Sequence, residues 1–443
     1  MKRTTLEATD QNILNSIKEN TYGRTADVRD FIETLDKIEG NMFISLDARW
    51  GEGKTFYVRQ IEKSLEFLTK RTWDEESELT PYFENTVLNS VNLKQSYFPV
   101  YYNAWLYDNH NDPLLSLLFT IIKKSEKCIG TEESKSLKEK IAGIFSSISF
   151  SIGYNDTSVN AGVSVDGEKI KNAFAKNDIL DAIKTAEEIR ETVKAILDEV
   201  INEKAQRLVI FIDELDRCRP SYAIEMLERI KHYFDDERII FIVSVNKDQL
   251  VHTISKCYGT NFDSTGYLNK FFDLNVHMPI MSETNKNLFE MYRSEQMYLR
   301  KISEEFQEYF KLTLRDTLIF KQRVESIPVS LVNDYTHQGL CLSVFVPIIA
   351  VLDIVDENEK SKFLTGNSDI LEKLSSEITT MHDLVCKIGQ RDSVDMFENG
   401  LERIKAVYGF VFGGSQKVNY SELYLSVNYD MKRICVKVCN GFM

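Results

Sequence analysis

The stretch that most constrains the fold lies at residues 207–220, where an uninterrupted apolar run meets a cluster of charges. The run extends from Leu208 to Ile212 and is followed at once by Asp213 and Glu214. Continuous apolar residues over this length are typical of a parallel strand that is covered on both faces. Ligands of such sheets collect beyond the carboxyl ends of the strands, where the two acids would lie. The sequence therefore predicts an α/β fold with a polar site after this strand.

Two adjacent carboxylates in this position indicate a metal ion and an activated water. Magnesium binds through oxygen ligands and keeps several of its waters, so Asp213 is expected to help hold the ion. Glu214 is then expected to polarise the attacking water. On these two residues alone, a cap or a solubilising charge cluster explains the pair equally well, so a phosphate-binding loop has to be found elsewhere in the chain.

A loop of that kind lies upstream. Residues 41–46 form a short apolar strand, residues 47–55 form a loop with two glycines, and residues 56–70 have helical periodicity. This order is the context of the Walker A pattern, GxxxxGK(S/T), in which backbone N–H groups and a helix N-terminus hold phosphate. The candidate nucleotide-binding residues are Trp50, Gly51, Glu52, Gly53, Lys54, Thr55 and Phe56.

Within this loop, Lys54 is expected to contact the β and γ phosphates and Thr55 to bind magnesium. The first glycine of the pattern is replaced by Ala48. A methyl group there disfavours positive φ, although Gly51 and Gly53 leave the inner loop free to approach a phosphate. The alternative is a glycine turn that only caps the helix. The acid-tipped strand downstream favours the nucleotide, because the reaction needs both parts.

Three motifs together resemble the KAP family of P-loop NTPases, which is named after a eukaryotic neuronal scaffold protein and a plasmid-borne phage-exclusion protein. They are Trp-Gly-Glu-Gly-Lys-Thr at 50–55, Tyr-Asn-Ala-Trp at 102–105 and Ile-Asp-Glu-Leu-Asp-Arg-Cys at 212–218. The resemblance extends over about residues 20–335. It implies a parallel sheet of the additional-strand class, flanked by helices, and an ATPase that uses ATP and Mg²⁺. Bacterial members of the family are often linked to defence against phage and to signalling scaffolds.

The charge that develops on a transferred phosphate needs a cation. The candidates are Arg217, Arg219 and Arg315, acting in cis or supplied by a neighbouring subunit. Each of these arginines, taken alone, is more often part of a surface ion pair.

Two further positions are candidates by their place in the chain. Asn246 follows the strand predicted at 238–245, where it either holds the attacking water or caps the next helix. Tyr22 and Arg24 precede the glycine loop and are candidate contacts of adenine.

Composition limits the class of protein. With 443 residues, 43% of them apolar, the chain is long enough for two or three domains with large cores. Its 54 Lys and Arg against 68 Asp and Glu give a net charge of −14, which opposes nucleic-acid binding. Seven cysteines without a CxxC pair indicate reduced thiols and a cytoplasmic location. Without an apolar leader or a run of 18 apolar residues, a soluble or peripheral protein with no transmembrane segment is expected.

The predicted organisation has three parts. Residues 1–282 form the NTPase core, with an insertion at about 128–206 that includes an alternating hairpin pattern at 147–165. Residues 283–340 are predicted to form a helical lid, and residues 341–443 a helical C-terminal module of unknown role.

The function that these features favour is an ATP-hydrolysing conformational switch that acts by self-association or through a protein effector. The family resemblance extends this hypothesis to antiphage defence. Two alternatives stay open: a nucleotide-gated signalling or assembly scaffold with little turnover, for which Ala48 is the motive, and a phosphotransferase. The acids followed by Leu215, Asp216 and Arg217 favour water over another acceptor.

Overall fold

A computed structural model describes residues 7–73, 75, 77–109, 112–126, 187, 189–191, 193–198, 201, 205–259, 261–279, 296–325, 334–389, 395–413, 431 and 435. The hairpin predicted at 147–165 lies outside these residues, as does most of the predicted insertion. The described residues group into two compact units. One consists of Ala8–Trp50 and the described part of Lys54–Ile280, and the other of Gly51–Gly53 and the described parts of Met1–Glu7 and Met281–Met443.

The first unit is built on a five-stranded sheet in which every pair of neighbouring strands is parallel. Its strands are β1 (Met42–Asp47), β2 (Tyr97–Asn103), β3 (Arg207–Asp213), β4 (Ile239–Val245) and β5 (Leu274–His277). Their order in the sheet is β2-β3-β4-β1-β5. The strands β3 and β4 are buried along all seven of their residues, as expected for inner strands that helices cover on both faces. The predicted parallel α/β sheet is confirmed.

The strand register brings several polar strand ends to one edge of the sheet. Asp213, at the end of β3, lies level with Asn103 of β2 and with Ser244 of β4. Asp47, at the end of β1, lies level with Val245 of β4. The loops that follow β1, β2 and β3 therefore emerge at the same edge, where parallel sheets bind their ligands.

Helices pack around this sheet. They are α1 (Asp10–Lys18), α2 (Thr25–Leu35), α3 (Lys54–Thr72), α4 (Thr80–Phe83), α5 (Pro113–Glu126), α6 (Pro220–Tyr233), α7 (Lys247–Tyr258) and α8 (Ser264–Asn269). One helix start follows directly from the sequence. The helix α6 begins at Pro220, whose missing N–H costs nothing in a first turn. The helix α3 begins at Lys54, two residues before the start predicted at residue 56, so that Lys54 and Thr55 belong to its first turn.

The second unit is helical in its C-terminal part, which confirms the prediction for that region. Its helices are α9 (Met297–Tyr309), α10 (Leu314–Glu325), α11 (His337–Val355), α12 (Glu357–Leu364), α13 (Ile370–Glu377), α14 (Thr379–Gly389) and α15 (Met396–Phe412). The predicted division into a lid at 283–340 and a module at 341–443 stays a prediction, and its boundary falls inside α11.

The helix α11 is the core of the second unit. It is buried without interruption from Gly339 to Leu352. By length and composition it could cross a membrane, and it is the one helix among the described residues that meets those criteria. However, 78% of its most apolar window is buried inside the protein. A helix that is apolar on all sides and packed against other helices is typical of the centre of a helical module.

Candidate functional site

The loop between β1 and α3 has the backbone that a phosphate-binding loop needs. Gly51 and Gly53 have positive φ angles of 90° and 84°, and Glu52 between them is half-buried. Positive φ is rare for residues with a side chain. Ala48 does not have it, and its N–H donates to the Val245 carbonyl at 3.1 Å, which extends the β1 ladder. The alanine at the first position of the pattern therefore lies where a methyl group strains no backbone angle.

Within the second unit, Gly51 lies against the start of α10. A Cβ atom added to Gly51 would lie 2.6 Å from Thr313 Oγ1, so there is no room for a side chain. The Gly51 carbonyl accepts a hydrogen bond of 3.0 Å from the Arg315 N–H. Arg315 is thus held beside this glycine through its main chain. Its contact with a phosphate stays a prediction.

Lys54 has a buried side chain with acceptors around it. Its Nζ donates to the Ala48 carbonyl at 2.7 Å and lies 4.0 Å from Asp216 Oδ2. Burial lowers the pKa of the ammonium group, while Asp216, Asp213 and Glu214 act in the opposite direction. The lysine and the three acids, although far apart in the sequence, belong to one electrostatic cluster.

Thr55, in the first turn of α3, contacts the acids at the carboxyl end of β3. Its hydroxyl donates to Glu214 Oε1 at 3.2 Å. Asp213 is fully buried, and it accepts hydrogen bonds of 3.0 Å from the Tyr101 hydroxyl and from the Glu214 N–H. Burial raises the pKa of Asp213, and the hydroxyl groups of Thr55 and Tyr101 partly oppose this rise.

A hydroxyl and two carboxylates side by side provide the oxygen ligands that Mg²⁺ prefers. The described part of the chain has no group of three or more His, Cys, Asp or Glu that could hold a metal ion. A magnesium ion bound with a nucleotide needs no such group, because it takes one or two protein oxygens besides waters and phosphates. The positions of Thr55 and Asp213 therefore fit this ion.

Glu214 has the most unusual backbone of the site. Its φ of 63° and ψ of 22° are left-handed, a conformation that costs a non-glycine residue about 1–2 kcal/mol. Its carboxylate forms an ion pair with Arg217 Nε, and its pKa is raised, first by burial and then by Asp213. Strained backbone of this kind clusters at functional sites, where it directs a side chain.

The two arginines after β3 have different surroundings. Arg217 pairs with Glu214, and its guanidinium carbon lies 5.7 Å from the centre of the Trp105 ring. Arg219 precedes α6 and pairs with Asp108, with 3.2 Å between Nε and Oδ1, and its side chain is 56% exposed. Of these two arginines, Arg217 is the one that contacts an acid of the site.

Asn246 caps α7. Its Oδ1 accepts a hydrogen bond of 3.3 Å from the Gln249 N–H. Capping is one of the two roles that the sequence suggests for this residue. Holding the attacking water stays a prediction.

Tyr22 and Arg24 lie beside the first turn of α3. Tyr22 packs edge-on against Phe56, with 5.6 Å between ring centres. Arg24 is buried, and its guanidinium carbon lies 6.0 Å from the centre of the Tyr57 ring. Their proposed contact with adenine stays a prediction.

Two side chains of the cluster had no role assigned from the sequence, namely Tyr101 and Asp216. Tyr101 is two residues from the end of β2, and only the register with β3 shows that its hydroxyl reaches Asp213. Asp216 lies in a short 3-10 turn, Leu215–Arg217, and accepts a hydrogen bond of 2.5 Å from Trp50 Nε1. Its place two residues after Glu214 is the sequence signal for this acid.

Comparison with known proteins agrees with this geometry. A family model described as the KAP family P-loop domain matches residues 9–380, which is well over half of the chain. An uncharacterised protein of Methanocaldococcus jannaschii is 26% identical over 189 residues, a stretch that covers 34% of this chain and 97% of that protein. The glycine loop and the acids after β3 both lie inside the family match.

Proposed function

The chain belongs to the KAP family of P-loop NTPases, and on that premise we propose that it is a Mg²⁺-dependent ATPase whose cycle drives a conformational switch. The observation that carries the proposal is the cluster at the carboxyl edge of the sheet, where Thr55 Oγ1 lies 3.2 Å from Glu214 Oε1 and Lys54 interacts with the same acids. Phosphoryl transfer depends mainly on positioning and on charge stabilisation. These groups can supply both.

Each group has a role in this reaction. The N-terminus of α3 and the Lys54 ammonium group would bind the β and γ phosphates, because both favour negative charge. Thr55 and Asp213 would hold Mg²⁺, which neutralises phosphate charge when bound. Glu214 would orient the attacking water and accept its proton. For that step Glu214 has to exchange its contacts with Thr55 and Arg217 for the water, which frees Arg217 to approach the transferred phosphate.

A second candidate function is a nucleotide-gated scaffold that binds ATP with little turnover. The contacts of Glu214 favour it, since Thr55 engages Oε1 and Arg217 engages Oε2. A carboxylate held in this way cannot act as a base until it is released. Ala48 gives this candidate no support, because the loop has positive φ at its glycines and not at the alanine.

Phosphate release separates the candidate functions. The purified protein is expected to release phosphate from ATP in the presence of Mg²⁺ and to fall to background in EDTA, because the acids need the ion to bind a triphosphate. A scaffold would bind ATP without release above background. A phosphotransferase would move a radioactive γ-phosphate to a second molecule instead of to water. A parallel measurement with GTP tests the preference for adenine.

We extend the proposal to a switch that acts by self-association or through an effector protein. Arg217 contacts both Glu214 and Trp105, and Trp105 is 56% exposed, so a partner bound at this ring could reach the catalytic acid through one side chain. The particle mass in solution is expected to change when ATP is added, as measured by light scattering. An unaltered mass distribution with and without ATP removes the self-association.

We also propose a cytoplasmic location and a role in antiphage defence. Among the described residues, the free cysteines at 218, 257, 341 and 386 support the location, and the family resemblance supports the defence role. Phage plating on bacteria that carry the gene should be lower than on bacteria with an empty vector. Equal plating across a broad set of phages would contradict the defence role.

A further inference from the structure

Asp216 is the acid of the cluster that the proposed reaction leaves without a role. Its side chain is 1% exposed. Its Oδ2 accepts a hydrogen bond of 2.5 Å from Trp50 Nε1 and lies 4.0 Å from Lys54 Nζ. Burial of a carboxylate is costly unless hydrogen-bond donors and cations surround it. The contacts with Trp50 and Lys54 therefore stabilise the buried Asp216 carboxylate.

The same contacts involve the group that would bind phosphate. Lys54 has three donor hydrogens and no acceptor, and in this structure its Nζ has the Ala48 carbonyl and Asp216 as neighbours. A phosphate bound by Lys54 would compete with Asp216 for the same positive charge. It would also bring negative charge next to a carboxylate that water cannot screen well.

The balance of charge in the cluster makes this competition important. The cations are Lys54 and Arg217, and the anions are Asp213, Glu214 and Asp216. At neutral pH the formal sum is negative, so a triphosphate without its metal ion meets net repulsion. A divalent cation reverses this balance.

We propose that Asp216 is a positioning residue that competes with phosphate for Lys54 and thereby makes nucleotide binding depend on Mg²⁺, with Trp50 moving as the contact is exchanged. This inference rests on the proposed function, since it requires a nucleotide at Lys54. Trp50 is the natural reporter, because its indole N–H is bonded to Asp216 while 45% of the residue is exposed.

The first test measures ADP binding by calorimetry, with Mg²⁺ and with EDTA, in the wild type and in Asp216→Asn. Asparagine keeps the size of the side chain and removes its charge. Metal-free ADP is expected to bind about tenfold more tightly to the variant, and Mg²⁺–ADP much less so, which corresponds to a difference of about 1.4 kcal/mol. A merely structural role would weaken both complexes together. Equal or weaker binding of metal-free ADP by a folded variant overturns the proposal.

The matched control is Asp112→Asn. The Asp112 side chain is also 1% exposed and also pairs with a cation, since Arg229 Nη2 lies 3.0 Å from its Oδ2. It lies immediately before α5, where its Oδ1 accepts a hydrogen bond of 2.7 Å from the Leu114 N–H, and its substitution should leave the ratio of the two ADP affinities unchanged. If both variants raise the affinity for metal-free ADP equally, the effect is one of net charge and the proposal fails.

A second test needs no change at Asp216. The chain has three tryptophans, so Trp73→Phe with Trp105→Phe leaves Trp50 as the single reporter. ADP should change the Trp50 emission with the same midpoint as the calorimetric titration. A constant emission while calorimetry records binding overturns the inference and leaves the proposed function intact. Absence of any nucleotide binding by the wild-type protein removes both.

Discussion

Replacing Glu214 with glutamine is expected to reduce phosphate release to a small residual rate while ATP stays bound. Glutamine has the same size as glutamate. Its amide oxygen can still accept the hydrogen bond that the Thr55 hydroxyl donates to Glu214 Oε1 at 3.2 Å in the wild type. It cannot take a proton from water. Loss of a positioned general base lowers turnover by about 10²- to 10⁴-fold. The measurements are steady-state phosphate release and the retention of labelled ATP on the protein.

The control for this variant is Glu225→Gln. Glu225 is a half-buried acid whose pKa burial also raises, and it also pairs with an arginine, Arg229. Its substitution removes the same charge outside the proposed site and should leave turnover unchanged. A Glu214→Gln protein that hydrolyses ATP as fast as this control would show that another group activates the water.

The dependence of the hydrolysis rate on pH tests independently whether Glu214 is the general base. A general base acts in its deprotonated form, and the pKa of Glu214 is raised above the ordinary 4.5 by burial and by Asp213. The rate of the wild type is therefore expected to fall on the acid side at a pH above that of an ordinary glutamate. The residual rate of Glu214→Gln should lack this fall, because glutamine does not titrate.

The sheet could be predicted from the sequence because its signal is local. The run from Leu208 to Ile212 is apolar at every position, and β3 is buried at every position. The helix after the glycine loop also had a local signal, although the prediction placed its start at residue 56 and α3 begins at Lys54. The prediction for Ala48 had a weaker basis. A sequence pattern does not show which loop residues need positive φ, and in this loop Gly51 and Gly53 provide it.

The contacts of the site could not be predicted in the same way, because they depend on register and on one strained angle. Tyr101 reaches Asp213 only because β2 and β3 pair in one particular alignment, which the sequence does not state. Glu214 has a left-handed backbone, which is uncommon for a residue with a side chain, so its residue type does not predict this conformation. Both facts arise from tertiary packing, which overrides local preference.

The helix α11 shows that apolar composition alone does not distinguish a membrane span from a core helix. Its apolar residues pass a test for membrane spans by length and hydropathy, yet the helices around it bury most of the same surface. An apolar side chain is equally stable in lipid and in a protein core. Whether such a helix spans a membrane or lies in a protein core depends on the helices that pack against it, which its own composition does not show.

The other large effect is expected at Lys54. Lys54→Ala removes the one ammonium group that the cluster offers to the phosphates. Hydrogen bonds to charged groups contribute about 1.5–3 kcal/mol. The affinity for Mg²⁺–ATP is therefore expected to fall by about 10- to 100-fold, as measured by calorimetry. Phosphate release should fall with it.

Lys63→Ala is the matched control for this variant. Both lysines lie on α3 and have nearly the same exposure, 9% for the Lys54 side chain and 10% for Lys63, but Lys63 pairs with Asp10 and Glu66 instead of the site. Both substitutions remove a buried cation, so a loss of stability is expected in both. Stabilisation by a ligand grows as RT ln(1 + [L]/Kd), so the rise in Tm on adding ATP reports affinity whatever the starting stability. That rise should persist in Lys63→Ala and be clearly smaller in Lys54→Ala at the same ATP concentration, and an equal rise in both would place the nucleotide away from this loop.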